Sequence, residues 1–214
     1  MKPKHLAAHI KMCIVLSELS DCPRRKFGAL LLDPERNTIL ATGYNGGPRE
    51  GKGPLCSGWF CERDGITEDM LKITNEGDVL RYFNRDGVEQ GSRVVGSVDG
   101  TKTREELVEI RQRLLTKHPP IPSGTRMELG CHHAEQNCIC NAAAQGTKTS
   151  GAWLIVTGEP CKMCSKTLHH AGVVKVICVK GGYAGGSDGV EYLLDHGVKV
   201  EYVEGPPDPR SVNP

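Results

Sequence analysis

Apolar positions at Leu6, Ile10, Cys13, Ile14, Leu16 and Leu19 recur at helical spacing and predict a helix over residues 4–20. The segments FGALLLD and NTILATG then read as two strands, joined by the turn signal DPERN. From Gly43 to about Arg126 the pattern becomes irregular. GYNGGPREGKGP reads as loop. TEDMLKI and EGDVLRYFNRDG read as short helices, and TREELVEIRQRLLTKH as a longer one stopped by PPIP. With few apolar anchors, residues 62–127 read as an insertion rather than a separate domain. Regularity returns afterwards. A helix over 133–145 ends at Gly146, AWLIVTG is a buried strand, and a helix over 161–171 ends at Gly172. VVKVICVK is a strand, GVEYLLDHG a helix and VKVEYVEG a last strand, before a tail, 206–214, expected to be disordered. Two strands followed by α-β-α-β-α-β predict an α/β fold: a three-layer α/β/α sandwich with a mixed five-stranded sheet, in one domain over 1–205.

The chain has 214 residues, of which 38% are hydrophobic, enough for one core. Its formal net charge is +1, which provides no strong field for a polynucleotide but leaves room for a small phosphorylated substrate. His9 and Lys11 interrupt the apolar N-terminal run and no small-residue cleavage site follows, so it does not read as a signal peptide. No stretch approaches the roughly 18 apolar residues of a membrane span. The expectation is a soluble, cytoplasmic protein. In a reducing compartment its ten cysteines point to thiols or metal ligands over disulfides. Cys13, Cys138, Cys140 and Cys178 sit in apolar patterns and are expected to be small buried hydrophobes.

Two short stretches carry the chemistry. In PCKMC, Cys161 and Cys164 are spaced i, i+3 at a predicted helix start, on one helix face. A helix N-terminus favours thiolates, and thiolates bind zinc. The spacing alone also suits a redox pair, but no thioredoxin-like order of elements surrounds it. In HAE, His133 stands at another helix start. Three ligands leave one tetrahedral position open, the pattern of catalytic rather than structural zinc. Glu135 then stands where it can take and return a water's proton. Its other reading is a first-turn charge facing the helix dipole.

His133-Ala134-Glu135 followed by Pro160-Cys161-x-x-Cys164 is the established signature of the zinc deaminases. On these residues the chain resembles the cytidine and deoxycytidylate deaminase family, over about 4–61 and 128–203. The resemblance implies hydrolytic deamination by a zinc-activated water with Glu135 as proton shuttle. It also implies backbone groups at Ala134 and near Thr157 against the base. GYNG, after CPRRKFGALL, looks like the deoxycytidylate branch, which converts dCMP to dUMP for dTMP synthesis. That branch implies Asn45 on the sugar, although Asn also favours left-handed turns. It implies Arg24, Lys26 and Tyr183 near the phosphate; the bland alternative is surface cations and a packing tyrosine. Homohexamers, activation by dCTP (with Mg2+) and inhibition by dTTP belong to the same implication.

Cys22, Cys56, Cys61 and Cys131 remain outside any core pattern. Some members of the branch carry a structural zinc from these regions, with ligands that are not all cysteine. Four thiolates here would make a closed second zinc site; unrelated thiols are the alternative. His132, His169 and His170 are expected to be surface or supporting residues rather than ligands. Rival functions are deamination of another cytosine nucleotide or nucleoside (dCTP, a modified dCMP, a base in RNA), or a non-enzymatic zinc module for interaction. Glu135 argues against the last, since a structural zinc needs no proton shuttle.

Overall fold

The computed structural model describes residues 1–22, 25–47, 60–61, 64–73, 80–83, 87–93, 104–121, 131–180 and 187–205. In chain order its elements are α1 (Pro3–Glu18), β1 (Gly28–Asp33), β2 (Thr38–Tyr44), β3 (Leu71–Ile73), β4 (Leu80–Phe83), β5 (Glu89–Arg93) and α2 (Arg104–Lys117). Then follow α3 (Ala134–Ala144), β6 (Trp153–Val156), α4 (Lys162–His170), β7 (Lys175–Lys180), α5 (Ser187–Asp195) and β8 (Lys199–Glu204). Internal contacts divide the chain into two units, one of residues 1–20, 26–46 and 132–214, the other of residues 21–25 and 47–131.

The first unit is a five-stranded sheet in the order β2-β1-β6-β7-β8. β1 runs antiparallel to β2 and to β6, whereas β6, β7 and β8 are parallel. The sheet is therefore mixed, as the element order predicts. Its central strands β1, β6 and β7 are short apolar runs because both their faces are covered, whereas the edge strands β2 and β8 are more exposed. On one face, Cys13 and the partly buried Leu6, Ile10 and Ile14 of α1 pack on Leu30, Leu32, Ile155 and Ile177. On the other, Ala29, Leu31, Leu154, Val156, Val176 and Cys178 meet Cys138 and Ala142 of α3, Leu168 of α4 and Leu193 of α5. Two successive parallel crossovers of one hand, stepping in one direction, must put α4 and α5 on the same face. Cys13, Cys138 and Cys178 are buried as expected, but Cys140 is exposed. The core face of α3 is Ala134, Glu135, Cys138 and Ala142. Position 140 lies about 200° round the helix from 138, at roughly 100° per residue.

The second unit departs from the expectations. TEDMLKI forms a single 3-10 turn, Glu68–Met70, leading into β3 rather than a helix. EGDVLRYFNRDG supplies β4. β3, β4 and β5 pair antiparallel into a separate three-stranded sheet. Nor is this stretch poor in apolar anchors. Phe60, Ile66, Met70, Leu71, Leu80 and Leu107 form a buried cluster of their own, with Ile110 and Leu114 of α2 against it. Arg111 ties α2 to β3, its Nε donating to the Leu71 carbonyl at 3.1 Å. The tail at 206–214 lies outside the described residues. Among the described residues no helix is long and apolar enough to cross a membrane.

One close approach positions the site. A Cβ on Gly43 of β2 would collide with the Ala134 carbonyl and the Cys138 N–H of α3 and stand 2.9 Å from Cys138 Cα. Only glycine lets α3 lie this near the strand. Gly43→Ala is expected to lower stability by about 1–3 kcal/mol, the usual range for overpacking. Gly46→Ala, whose Cβ meets nothing within 4 Å, should stay within about 0.5 kcal/mol of the parent. Urea unfolding midpoints of the two variants check this.

Candidate metal centre

The backbone is extended at His133 (φ −77°, ψ 154°) and at Cys161 (φ −70°, ψ 165°), and each caps a helix N-terminus, of α3 and of α4. Cys164 stands one turn into α4. α3 is pinned from three directions. The His133 N–H donates to Gln136 Oε1 at 3.1 Å, closing the first turn. His132 and Gly46 form an isolated antiparallel bridge, with N–H donations of 2.8 and 3.2 Å, which fixes the entry to the helix. Asn137 Nδ2 and Asn141 Nδ2 donate to the Tyr44 and Thr42 carbonyls of β2, both at 2.7 Å. Carbonyls two residues apart in a strand point the same way, and side chains four apart on a helix share a face, so the two bonds form as a pair.

The result is a compact donor set. His133 Nδ1 lies 3.4 Å from Cys164 Sγ and 3.6 Å from Cys161 Sγ. The three ligand atoms all fall within 4.8 Å of one another. A tetrahedral zinc, with Zn–S about 2.3 Å and Zn–N about 2.0–2.1 Å, needs nitrogen and sulfur roughly 3.5 Å apart. The donor set fits zinc in both softness and spacing. It is also the one group of three or more His, Cys, Asp or Glu ligand atoms gathered in this way among the described residues.

Glu135, in the first turn of α3, is buried at 6% exposure. Its carboxyl interacts electrostatically with His133 and with both gathered thiols, Cys161 and Cys164. Burial pushes it above the ordinary carboxylate range, against the opposing pull of its own backbone N–H and the His133 imidazole. The two sulfurs titrate as a pair. Cys161 is held well below the usual thiol range, first by the hydrogen bond from Cys164 and then, against desolvation, by that from His133. Cys164 is raised, first by that same bond to Cys161 and then by burial. Such a site can hold a soft divalent cation and keep a buried proton acceptor at its side.

The family model of the cytidine and deoxycytidylate deaminase zinc-binding region matches residues 3–180. The chain belongs to this family. Two phage relatives of this family member are deoxycytidylate deaminases. That of Enterobacteria phage T2 is 27% identical over 169 residues, 78% of this chain and 76% of that protein. That of Enterobacteria phage T4 is 26% identical over 171 residues, covering 78% and 74%. Among solved structures, the dCMP deaminase of cyanophage S-TIM5 in complex with dCMP and dUMP superposes with a TM-score of 0.56. It is 25% identical, covering 95% of this chain and 99% of that one. The apo form of the cyanophage enzyme has a TM-score of 0.54 at 23% identity, over 95% and 100% of the two chains, a likeness of fold.

The structure treats the other expected site residues of this zinc-binding family member unevenly. Ala134 is fully buried at the start of α3. The Thr157 N–H donates to the Gly28 carbonyl at 3.1 Å, and its Oγ1 accepts from the Gly28 N–H at 2.9 Å, so both extend the β1–β6 ladder. Asn45 is not a left-handed turn residue; among the described non-glycine residues only Asn37 has positive φ, at 56°. Asn45 Oδ1 instead accepts from the Phe27 N–H at 2.7 Å, which fixes its amide plane at the end of β2. Lys26 Nζ donates to the Glu18 carbonyl at 3.3 Å, at the end of α1. Arg24, Tyr183 and Cys56 lie outside the described residues. Cys22 and Cys131 are half-buried and Cys61 is buried; these three do not by themselves form a second gathered group. Asn137, Asn141 and Gln136 hold α3 in place yet drew no notice in the sequence. Their signal was the Asn-x-x-x-Asn spacing beside a capping-box glutamine.

Because Cys161 is lowered and Cys164 raised, zinc uptake near neutral pH should release one thiol proton rather than two. Apparent zinc affinity is then expected to rise about tenfold per pH unit through the neutral range. Calorimetric titrations in buffers of different ionisation enthalpy measure that proton count. Cys161→Ser or His133→Ala should abolish stoichiometric zinc.

Proposed function

We propose that the chain catalyses the hydrolytic deamination of dCMP, dCMP and water giving dUMP and ammonia, and so supplies the precursor of dTMP. The observation that carries this reading is the buried Glu135 carboxyl beside the gathered His133, Cys161 and Cys164 donors. The full-length likeness to the dCMP deaminase of cyanophage S-TIM5 supports the choice of substrate. A zinc ion on His133 Nδ1, Cys161 Sγ and Cys164 Sγ would supply Lewis acidity, lowering the pKa of water to about 7. Glu135 accepts one proton of the water on a carboxylate oxygen and passes it to the ring N3. It then takes the second proton from the oxygen now on the ring carbon and passes it to the departing exocyclic amine, leaving the carbonyl of dUMP and ammonia. Its burial favours the protonated carboxyl and so keeps the proton at hand between the two transfers. Ala134 and Thr157 backbone groups are assigned to the base edge, and Asn45 to the sugar. Arg24, Lys26 and Tyr183 are assigned to the phosphate. The same reading extends to a homohexamer with dCTP, accompanied by Mg2+, and dTTP as effectors.

A structural zinc on Cys22, Cys56, Cys61 and Cys131 is the finer proposal. It is supported by the grouping of the short segment 21–25 with 47–131, so that all four positions belong to one unit. Four thiolates give a closed site that braces without reacting.

Purified protein should turn over dCMP with a higher kcat/KM than deoxycytidine or dCTP, with dUMP and ammonia in equal amounts. Glu135→Gln is expected to keep its zinc and lose about 10²–10⁴ in kcat. A zinc-replete protein inert towards dCMP with and without dCTP, or an active Glu135→Gln protein, would refute this reading. Metal analysis should find two zincs per chain, falling to one in Cys56→Ser; one zinc in both proteins removes the structural site and leaves the catalytic one standing.

A further inference from the structure

The Glu159-Pro160-Cys161 segment leads from β6 into α4 and delivers one of the three gathered ligands. Two contacts from the C-terminal end of the fold converge on it. Gly189, buried in the first turn of α5, packs against the backbone of this segment. A Cβ there would collide with the Pro160 carbonyl, and would stand 2.8 Å from the Cys161 carbonyl carbon and 2.9 Å from Ser165 Oγ. The nearest obstacles are main-chain atoms, which cannot swing aside as a side chain can. From β8, the Tyr202 hydroxyl donates to Glu159 Oε1 at 2.8 Å. β8 is separated from β6 by β7, so this bond reaches across a strand to grip the loop.

We propose that α5 and β8 together clamp the ligand loop, with Gly189 and Tyr202 as positioning residues for Cys161. The two act differently. Gly189 sets how deep the Pro160–Cys161 peptide sits, by permitting backbone-to-backbone contact. Tyr202 sets its lateral position through a charge-assisted hydrogen bond to a carboxylate. Ligand orientation of this kind governs how long a metal stays bound, because a displaced thiolate makes a longer and weaker bond. Ser165 Oγ is buried and has no hydrogen-bond partner among the described residues, and Gly189 of α5 packs close beside it. Polar satisfaction at this contact has given way to closeness. The inference rests on Cys161 being a zinc ligand.

The test is the rate at which zinc-loaded protein yields its metal to a chromogenic chelator, read beside the thiolate-to-metal absorption of the cobalt-substituted protein. Gly189→Ala should release zinc about 10–100-fold faster and shift the cobalt spectrum, as loss of a supporting contact around a metal typically does. Adding Ser165→Ala should not restore it, since the collision is with main chain. Tyr202→Phe, a half-exposed position that tolerates the change, should release zinc several-fold faster. Glu159→Gln, which keeps an acceptor oxygen but loses its charge, should fall between the parent and Tyr202→Phe. Gly172→Ala strains the far end of α4, where φ is +77° and Ser150 Cα would be 2.9 Å from the new Cβ. It should leave zinc release unchanged. Parent-like release in both Gly189→Ala and Tyr202→Phe overturns the clamp. So does equal acceleration by Gly172→Ala, which would make the effect one of general stability. A parent protein that holds no zinc refutes the functional reading instead.

Discussion

Two helix N-termini pointed at one spot are the constraint from which the rest of this structure follows. Each carries partial positive charge from its unsatisfied N–H groups. His133 caps one and Cys161 the other, with Cys164 a turn further in. Within the cysteine pair the hydrogen bond between the two sulfurs lowers Cys161 and raises Cys164, so thiolate character concentrates on Cys161. Bringing the helices together requires α3 to lie against β2, which is why position 43 has no side chain and why two asparagines reach down to strand carbonyls. The arrangement also isolates Glu135 from solvent, so an ordinary carboxylate becomes a group that holds a proton more readily than it would in water.

Much of this was legible in the sequence, for a local reason. Ligand spacing i, i+3 on a helix, a histidine at a helix start and a glutamate two residues later are short-range relations that survive without knowledge of the fold. The central strands of the main sheet were legible because both faces are covered, and LLL or WLIV runs have little other use. The misreadings fall where structure depends on distant partners. β3 and β4 are short and carry charged residues, and only pairing within the β3-β4-β5 sheet makes them strands. Cys140 sits among alanines and cysteines too small and uniform to mark which side of α3 faces inward. The left-handed turn went to Asn37 rather than Asn45, because the hairpin closes at the DPERN segment. Gly189 and Tyr202 could not be seen at all, since each touches a segment about 30–40 residues away that no periodicity connects to it.

The stretch read as a poorly anchored insertion turned out to hold an apolar cluster and a sheet of its own. Its apolar residues are spread thinly through polar sequence, at Phe60, Ile66, Met70, Leu71, Leu80 and Leu107, so no single window looks like a core. Hydrophobic residues gathered from far apart in sequence can bury as well as a contiguous run, at a loop-closure cost that grows only slowly with separation.

The bridge between Gly46 and His132 has a consequence for how this architecture can change. Those two residues stand side by side, yet everything from 47 to 131 lies between them in the chain. The chain thus departs from the first unit after Gly46 and returns to it at His132, at two positions that are paired with each other. Exit and return points held side by side let the length of chain between them change at small closure cost while the register of the main sheet stays as it is. The return point stands one residue upstream of His133, so that pairing also holds the approach to the imidazole whatever the length of chain before it.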